Sequence, residues 1–197
     1  MNILAARKYH TPRNGPLTLE QTETRRLAYS IKSTASPSID FDTAAREMAA
    51  LITGPCWLIP IPDSTGNTDA NTRLAHHIAR HVSLSVGGEG RGEVASNQLS
   101  TLNPQLAICQ VVKAIHRTQP VQSQCARHKL ALGPIAPEQH HLARNRKVLT
   151  LRQTYFVDNV TTSGHTLEAA RLALGFGAGL VFADAAPRRV QIQATLF

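Results

Sequence analysis

The chain is poor in the features that would place it outside the ordinary globular class. Aromatic residues make up only 5% of its 197 positions, with a single Trp, so a core has to be built from aliphatic packing. Leu, Ala and Val supply that material, and apolar content is too high for general disorder. The three cysteines, Cys56, Cys109 and Cys125, are widely spaced. No CxxC pair points to zinc, and an odd count fits a secreted disulfide framework poorly, so they read as buried or incidental thiols. No apolar run approaches the length of a membrane span and the start has no signal-peptide core, which makes a reducing cytoplasm, away from any membrane, the expected location. Internal repeats, low-complexity blocks and long basic tails are also lacking.

What is present is a charge of +8. A basic surface attracts nucleotides, sugar phosphates and nucleic acids alike and does not choose among them. The short pairs Arg7-Lys8, Arg25-Arg26 and Arg188-Arg189 form no continuous patch, so they support nucleic acid only weakly.

A single domain is expected, with residues 1–17 as a flexible arm, 18–54 as amino-terminal helices and 55–197 as the core. Spacing predicts one helix from Leu17 to about Lys32 and, after the breaker run around Pro37, another from Ala44 to Ile52 capped by Asp42 or Thr43. Cys56 to Pro62 is a short apolar run of strand type. The polar turn Asp63 to Thr68 leads from it into a helix capped by Asp69 or Asn71, with Leu74, Ala75, Ile78, Ala79 and Val82 on one face. Two stretches, Val86 to Asn103 and Arg117 to Glu138, read as long loops. Leu106 to Ile115 is apolar and reads as a strand at its end. Val148 to Leu151 and Thr154 to Asp158 read as strands, followed by a loop to His165, a helix from Thr166 to Leu174 stopped by Gly175, and strands at Leu180 to Ala183 and Val190 to Phe197. Strand-helix-strand in this order predicts an α/β fold around a parallel sheet.

The segment Tyr155 to Leu167 carries the chemistry. A buried strand ends in an acid and an amide, and a loop of Thr, Thr, Ser and Gly then opens a helix. Helix starts offer unpaired N–H groups and the positive end of the dipole, which suits a phosphate. Thr162, Ser163 and Thr166 add hydroxyls, and Gly164 admits a close approach. Each hydrogen bond to a charged phosphate contributes about 1.5–3 kcal/mol net, so four or five of them support roughly micromolar binding after ordering costs. Asp158, at the strand's carboxyl end, is placed to accept from ribose hydroxyls.

Tyr155-Phe156-Val157-Asp158-Asn159-Val160-Thr161-Thr162-Ser163-Gly164-His165-Thr166-Leu167 resembles the phosphoribosyl-pyrophosphate motif of type I phosphoribosyltransferases. The resemblance implies that Thr161, Thr162, Ser163, Gly164, His165 and Thr166 hold the 5-phosphate, and that Asp158 and Asn159 hold the ribose hydroxyls, with Asp158 also facing a magnesium ion. The family's second acid is Asn159 here. An amide still bonds a hydroxyl but brings no charge to an oxocarbenium-like centre or to a metal. More loosely, the chain is similar to the ComF branch of that fold through Leu27 to Lys32, Leu58-Ile59-Pro60-Ile61-Pro62, Arg117-Thr118 with Gln122, and Arg144-Asn145, without that branch's amino-terminal cysteine cluster.

That likeness implies a type I phosphoribosyltransferase fold, with a small hood built from residues 18–54 over the parallel sheet. Asp63, Ser64, Thr65 and Gly66 would bind pyrophosphate, and Arg117 and Lys129 (or Arg127) would close over it as catalytic cations. It implies magnesium as cofactor, phosphoribosyl pyrophosphate and a nitrogenous acceptor as substrates, and a homodimer by analogy. The alternatives are a non-catalytic regulator of the same fold and a DNA-uptake or nucleic-acid-binding accessory protein. His76, His77 and His81 have metal-like spacing, but no nearby carboxylate or cysteine joins them in the sequence, so they read as a solvated helix face, as do His140-His141.

Overall fold

The computed structural model describes residues 1–11, 15–86, 109–145 and 152–185. The stretches 12–14, 87–108, 146–151 and 186–197 lie outside the described residues. With them lie the sequence-predicted loop after Val86, the strands at Val148 to Leu151 and Val190 to Phe197, and the pair Arg188-Arg189.

In chain order the elements are β1 (Ile3–Lys8), α1 (Leu19–Ser30), α2 (Ser38–Ala49), β2 (Cys56–Pro60), α3 (Asp69–Val86), β3 (Cys109–Val111), β4 (Ile115–Arg117), α4 (Gln124–Lys129), a 3-10 turn at Pro137–His140, β5 (Leu142–Arg144), β6 (Gln153–Thr161), α5 (His165–Leu174) and β7 (Ala178–Asp184). Five strands form one sheet in the order β1-β7-β6-β2-β3, and every neighbouring pair is parallel. The protein is thus an α/β structure with a parallel central sheet and helices on both faces.

The two faces follow from residue alternation, because successive strand side chains point to opposite sides. Leu58, Tyr155, Val157, Leu180 and Phe182 pack with Leu27, Ile31, Phe41, Met48, Leu74 and Ile78 from α1, α2 and α3. Their strand neighbours Ile59, Phe156 and Val181 face the other way, onto Leu167, Ala170 and Leu174 of α5 and onto Ile115 of β4. Both faces are covered, which is why these strands read as continuous apolar runs. Cys56 and Cys109 are register partners across β2 and β3, with their buried Sγ atoms 2.7 Å apart.

Several expectations are corrected. Residues 3–8 are not a flexible arm but the edge strand β1, paired with β7 from Ile3↔Gly179 to Lys8↔Asp184. Arg7 anchors it: its guanidinium forks onto Glu47 of α2 at 2.7 and 2.5 Å and donates to Thr24 of α1. The stretch 18–54 does not stand apart as a hood, since α1 and α2 bury Leu27, Phe41, Ala44 and Met48 against the sheet. Helix α1 is opened by a reciprocal Thr18–Gln21 capping box. Helix α2 starts at Ser38, earlier than predicted, with Pro37 preceding it and Asp42 inside the helix. The stretch after Arg117 is organised rather than loose: β4 and β5 pair antiparallel from Ile115↔Arg144 to Arg117↔Leu142, and α4 and the 3-10 turn lie between them. These three-residue strands are too short to show a period in sequence.

Candidate binding site at the carboxyl edge of the sheet

β2 and β6 are sheet neighbours, so the polar loops that follow them lie side by side. Between them opens a cavity of about 840 Å³ whose wall includes Asp63, Ser64 and Asn67 from the first loop and Asp158 through Gly164 with Thr166 from the second. Such a crevice outside the carboxyl ends of parallel strands is where open α/β sheets bind ligands.

The second loop is short because β6 runs on to Thr161, two residues beyond the sequence-predicted loop start. Asn159 and Thr161 are buried, whereas Thr162 and Ser163 are exposed. Gly164 then adopts φ +79, the left-handed region that glycine tolerates, and α5 begins at His165. Gly164 and Thr166 line the cavity, so the start of this helix, where N–H groups lack intrahelical partners, borders it. His165 itself is off the cavity wall. Its Nδ1–H donates to the Ile135 carbonyl at 2.8 Å, tying the loop to the segment between β4 and β5.

Both hydrogen bonds to Asp158 fall on Oδ1: one from the Asn159 backbone at 2.8 Å and one from Asn71 Nδ2 at 3.3 Å. Asn71 also donates to the Ile61 carbonyl at 2.8 Å, bridging the ends of β2 and β6. Burial pushes the Asp158 carboxyl up to about 6, against these two donors and the positive charge of Lys32. A carboxyl so placed gains from hydroxyl donors that replace lost water.

The first loop is folded around Asp63. Its Oδ1 accepts from Thr65 N at 2.8 Å, Thr65 Oγ1 at 2.7 Å and Asn67 N at 2.9 Å. Burial alone would raise this carboxyl; the hydrogen bonds from Thr65, Asn67 and Gly66 outweigh it and hold it below the usual range. Asp63 is therefore an organiser of the loop. Thr65 and Gly66 lie off the cavity wall, and the donors of Thr65 are already engaged. Ser64 and Asn67 are the residues this loop presents. Asn67 also accepts from Asp69 N at 2.7 Å, which makes it, and neither Asp69 nor Asn71, the side chain that caps α3.

Arg117 differs from its expected part as a mobile cation. It sits on β4 with Nε donating to the Asp63 carbonyl at 2.8 Å, Nη1 to the His140 carbonyl and Nη2 to the Pro62 carbonyl at 3.4 Å. It clamps the first loop to the 3-10 turn. Its charge, opposed by no bonded carboxylate among the described residues, stays on the cavity wall. Lys129 is exposed at the end of α4 and lies off that wall, and Arg127 donates to the Gly133 carbonyl of its own turn.

The sequence reading missed other wall residues: Tyr9, Asn71, Ser123 and His140. Asn71 carried a signal, an amide two residues into the helix that follows a βα loop. Tyr9 carried none, because only the sheet order brings β1 to this edge. His140 is 7% exposed and its Nδ1 has no hydrogen-bond partner. Burial, with Arg117 and His165 nearby, pulls its pKa down to about 4 and keeps the ring neutral.

Away from the site, the histidines of α3 do meet a carboxylate, contrary to expectation: Asp42 Oδ1 lies 2.8 Å from His81 Nε2 and 3.7 Å from His77 Nδ1. Among the described residues, no three His, Cys, Asp or Glu converge in a geometry that holds a metal ion. None of the described helices is long and apolar enough to cross a membrane. No known family model, curated protein or solved structure matches the chain.

Proposed function

We propose that the protein has a type I phosphoribosyltransferase fold and binds 5-phosphoribosyl-1-pyrophosphate in this cavity, transferring the phosphoribosyl group to a nitrogenous acceptor with release of pyrophosphate. The observation that carries the reading is the convergence of two loops, Asp63 to Asn67 and Asp158 to Thr166, remote in sequence, on one cavity at the carboxyl edge of a parallel sheet. The Thr161 to Thr166 loop and the start of α5 would hold the 5-phosphate, Asp158 and Asn159 the ribose hydroxyls, and Ser64 with the Asp63-ordered loop the pyrophosphate. In the reaction the acceptor nitrogen forms a bond to C1 while the C1–O bond breaks, and that electron pair leaves on the pyrophosphate.

The described residues fit magnesium as a ligand-borne ion rather than a caged one, since Asp158 is the uncommitted carboxylate on the wall. Magnesium would be held chiefly by the pyrophosphate and water and would supply charge neutralisation for the leaving group. Arg117 adds fixed positive charge on the same wall without reorganising.

Calorimetric titration with phosphoribosyl pyrophosphate and magnesium tests the reading. We expect saturable binding, roughly micromolar, that Thr162→Ala weakens and Asp158→Ala abolishes. No heat at millimolar ligand would sink it. The net charge of +8 favours a second reading, a nucleic-acid-binding or regulatory protein of the same fold. Steeply salt-dependent binding of DNA or RNA, with no response to the sugar phosphate, would establish that instead.

A further inference from the structure

Substitution at C1 has a direction. The leaving pyrophosphate would lie toward the loop after β2, so an acceptor attacking from the opposite side of C1 comes from the flank beyond β6. The sheet order places β7 and then β1 on that flank. There the cavity wall is made by Tyr9, just past β1, and by Tyr29 and Lys32 at the end of α1. Tyr9 is held in place by its N–H, which donates to the Asp184 carbonyl at 2.8 Å at the end of β7.

These three residues form a set. Lys32 Nζ lies 5.3 Å from the centre of the Tyr29 ring, and the Arg25 guanidinium lies 5.6 Å from the same centre. No carboxylate lies within ion-pair distance of Lys32 among the described residues. The Tyr9 phenol, pushed up to about 12 by burial and by the neighbouring Tyr29 hydroxyl, remains a donor throughout the physiological range. An unpaired ammonium, phenol donors and an aromatic surface at one end of a cavity suit a planar anion. Lys32 is exposed, so a neutral base forgoes the charge-assisted hydrogen bond that an anion gains there.

Resting on the transferase reading, we propose that the acceptor is a planar nitrogenous acid, its carboxylate bound by Lys32 and the Tyr9 and Tyr29 hydroxyls and its ring set against Tyr29. The acid group fixes orientation, and the nitrogen is left facing C1.

The test uses matched pairs differing only in that charge: nicotinate against nicotinamide, and anthranilate against 2-aminobenzamide. Each is titrated calorimetrically into the full chain saturated with phosphoribosyl pyrophosphate and magnesium, and pyrophosphate release is followed in parallel. We expect at least one acid to bind ~10-fold or more tightly than its amide. Lys32→Gln should collapse that ratio toward one, and Lys32→Arg should restore it in part. Equal binding of acids and amides, or an acid preference that survives Lys32→Gln, overturns the proposal while leaving the transferase reading intact. Failure of the native chain to bind phosphoribosyl pyrophosphate overturns both.

Discussion

Burial raises the Asp158 carboxyl from 3.8 to about 6, and a raised acid carries a defined cost. An unfolded carboxyl ionises near 4 and the folded one near 6, so the fold loses stability as pH rises between these values. The loss is complete above about pH 6 and absent below about pH 4. Asp158→Asn keeps an acceptor for the Asn159 and Asn71 donors and removes the charge. It should therefore raise stability at pH 8 by at most about 3 kcal/mol, with no gain at pH 4, while weakening sugar-phosphate binding. Urea melts at the two pH values check the first part and titration the second. A carboxylate that costs the free protein stability and is recovered on binding is what a ligand-directed residue looks like. Asp63 is the contrasting case. Its hydrogen bonds hold it ionised and bound within its own loop, so its contribution to stability is present at neutral pH and falls away in acid.

At the scale of elements, the loop between β6 and α5 is positioned by what lies beneath it. Helix α5 ends at Gly175, and the chain returns to β7 through Gly177 at φ +120. A Cβ at Gly177 would come within 2.7 Å of Phe156 Cε2, and Phe156 is fully buried under α5. Gly177→Ala combines a left-handed backbone with a core clash and should cost about 2–4 kcal/mol, read as a lower urea midpoint. Because Phe156 lies two residues before Asp158, the same change should also weaken phosphoribosyl pyrophosphate binding. The small β4–β5 ribbon acts from the other side. Through the Arg117 side chain it holds the first loop by its main-chain carbonyls, bracing the cavity wall on the side of that loop.

For the whole molecule, the chain's first strand pairs with its last described one, and β1 covers an edge that β7 would otherwise expose. A bare parallel edge invites pairing with other chains. Deleting residues 1–8 should lower stability by more than about 3 kcal/mol, since it removes the ladder to β7 and the Arg7–Glu47 fork together. Denaturant melts and size-exclusion chromatography would show the loss and the larger species that follow it; an unchanged melt with no larger species would show that β1 is dispensable. The basic character is also reorganised at this scale. Arg7 is paired with Glu47, and Arg26 with Glu23 and Asp40, so two of the basic pairs seen in sequence offer less charge to a polyanion than they first suggest.

Local chemistry is legible in a sequence because it depends on neighbours in the chain. Apolar runs buried on both faces announced β2, β6 and β7; Gly175 and the breaker at Pro37 marked ends; and the run from Asp158 to Thr166 read as a polar loop opening a helix, which is where β6 passes into α5. The polar turn after β2 was legible as a loop, but its internal hydrogen bonds were not: Thr65 and Gly66, expected at the ligand, lie off the cavity wall, and Thr65 donates to Asp63. Everything that depended on remote pairing was decided only by the tertiary structure. The strand at Ile3–Lys8 has a partner more than a hundred residues away, so its sequence alone resembled an arm. Asp42 reaches the histidines of α3 only because α2 packs on that helix. Tyr9 joins Tyr29, Lys32 and Asp158 on the cavity wall only because the sheet order sets β1 beyond β7. Periodicity within a segment reports which face is buried; it carries no information about which segment will bury it.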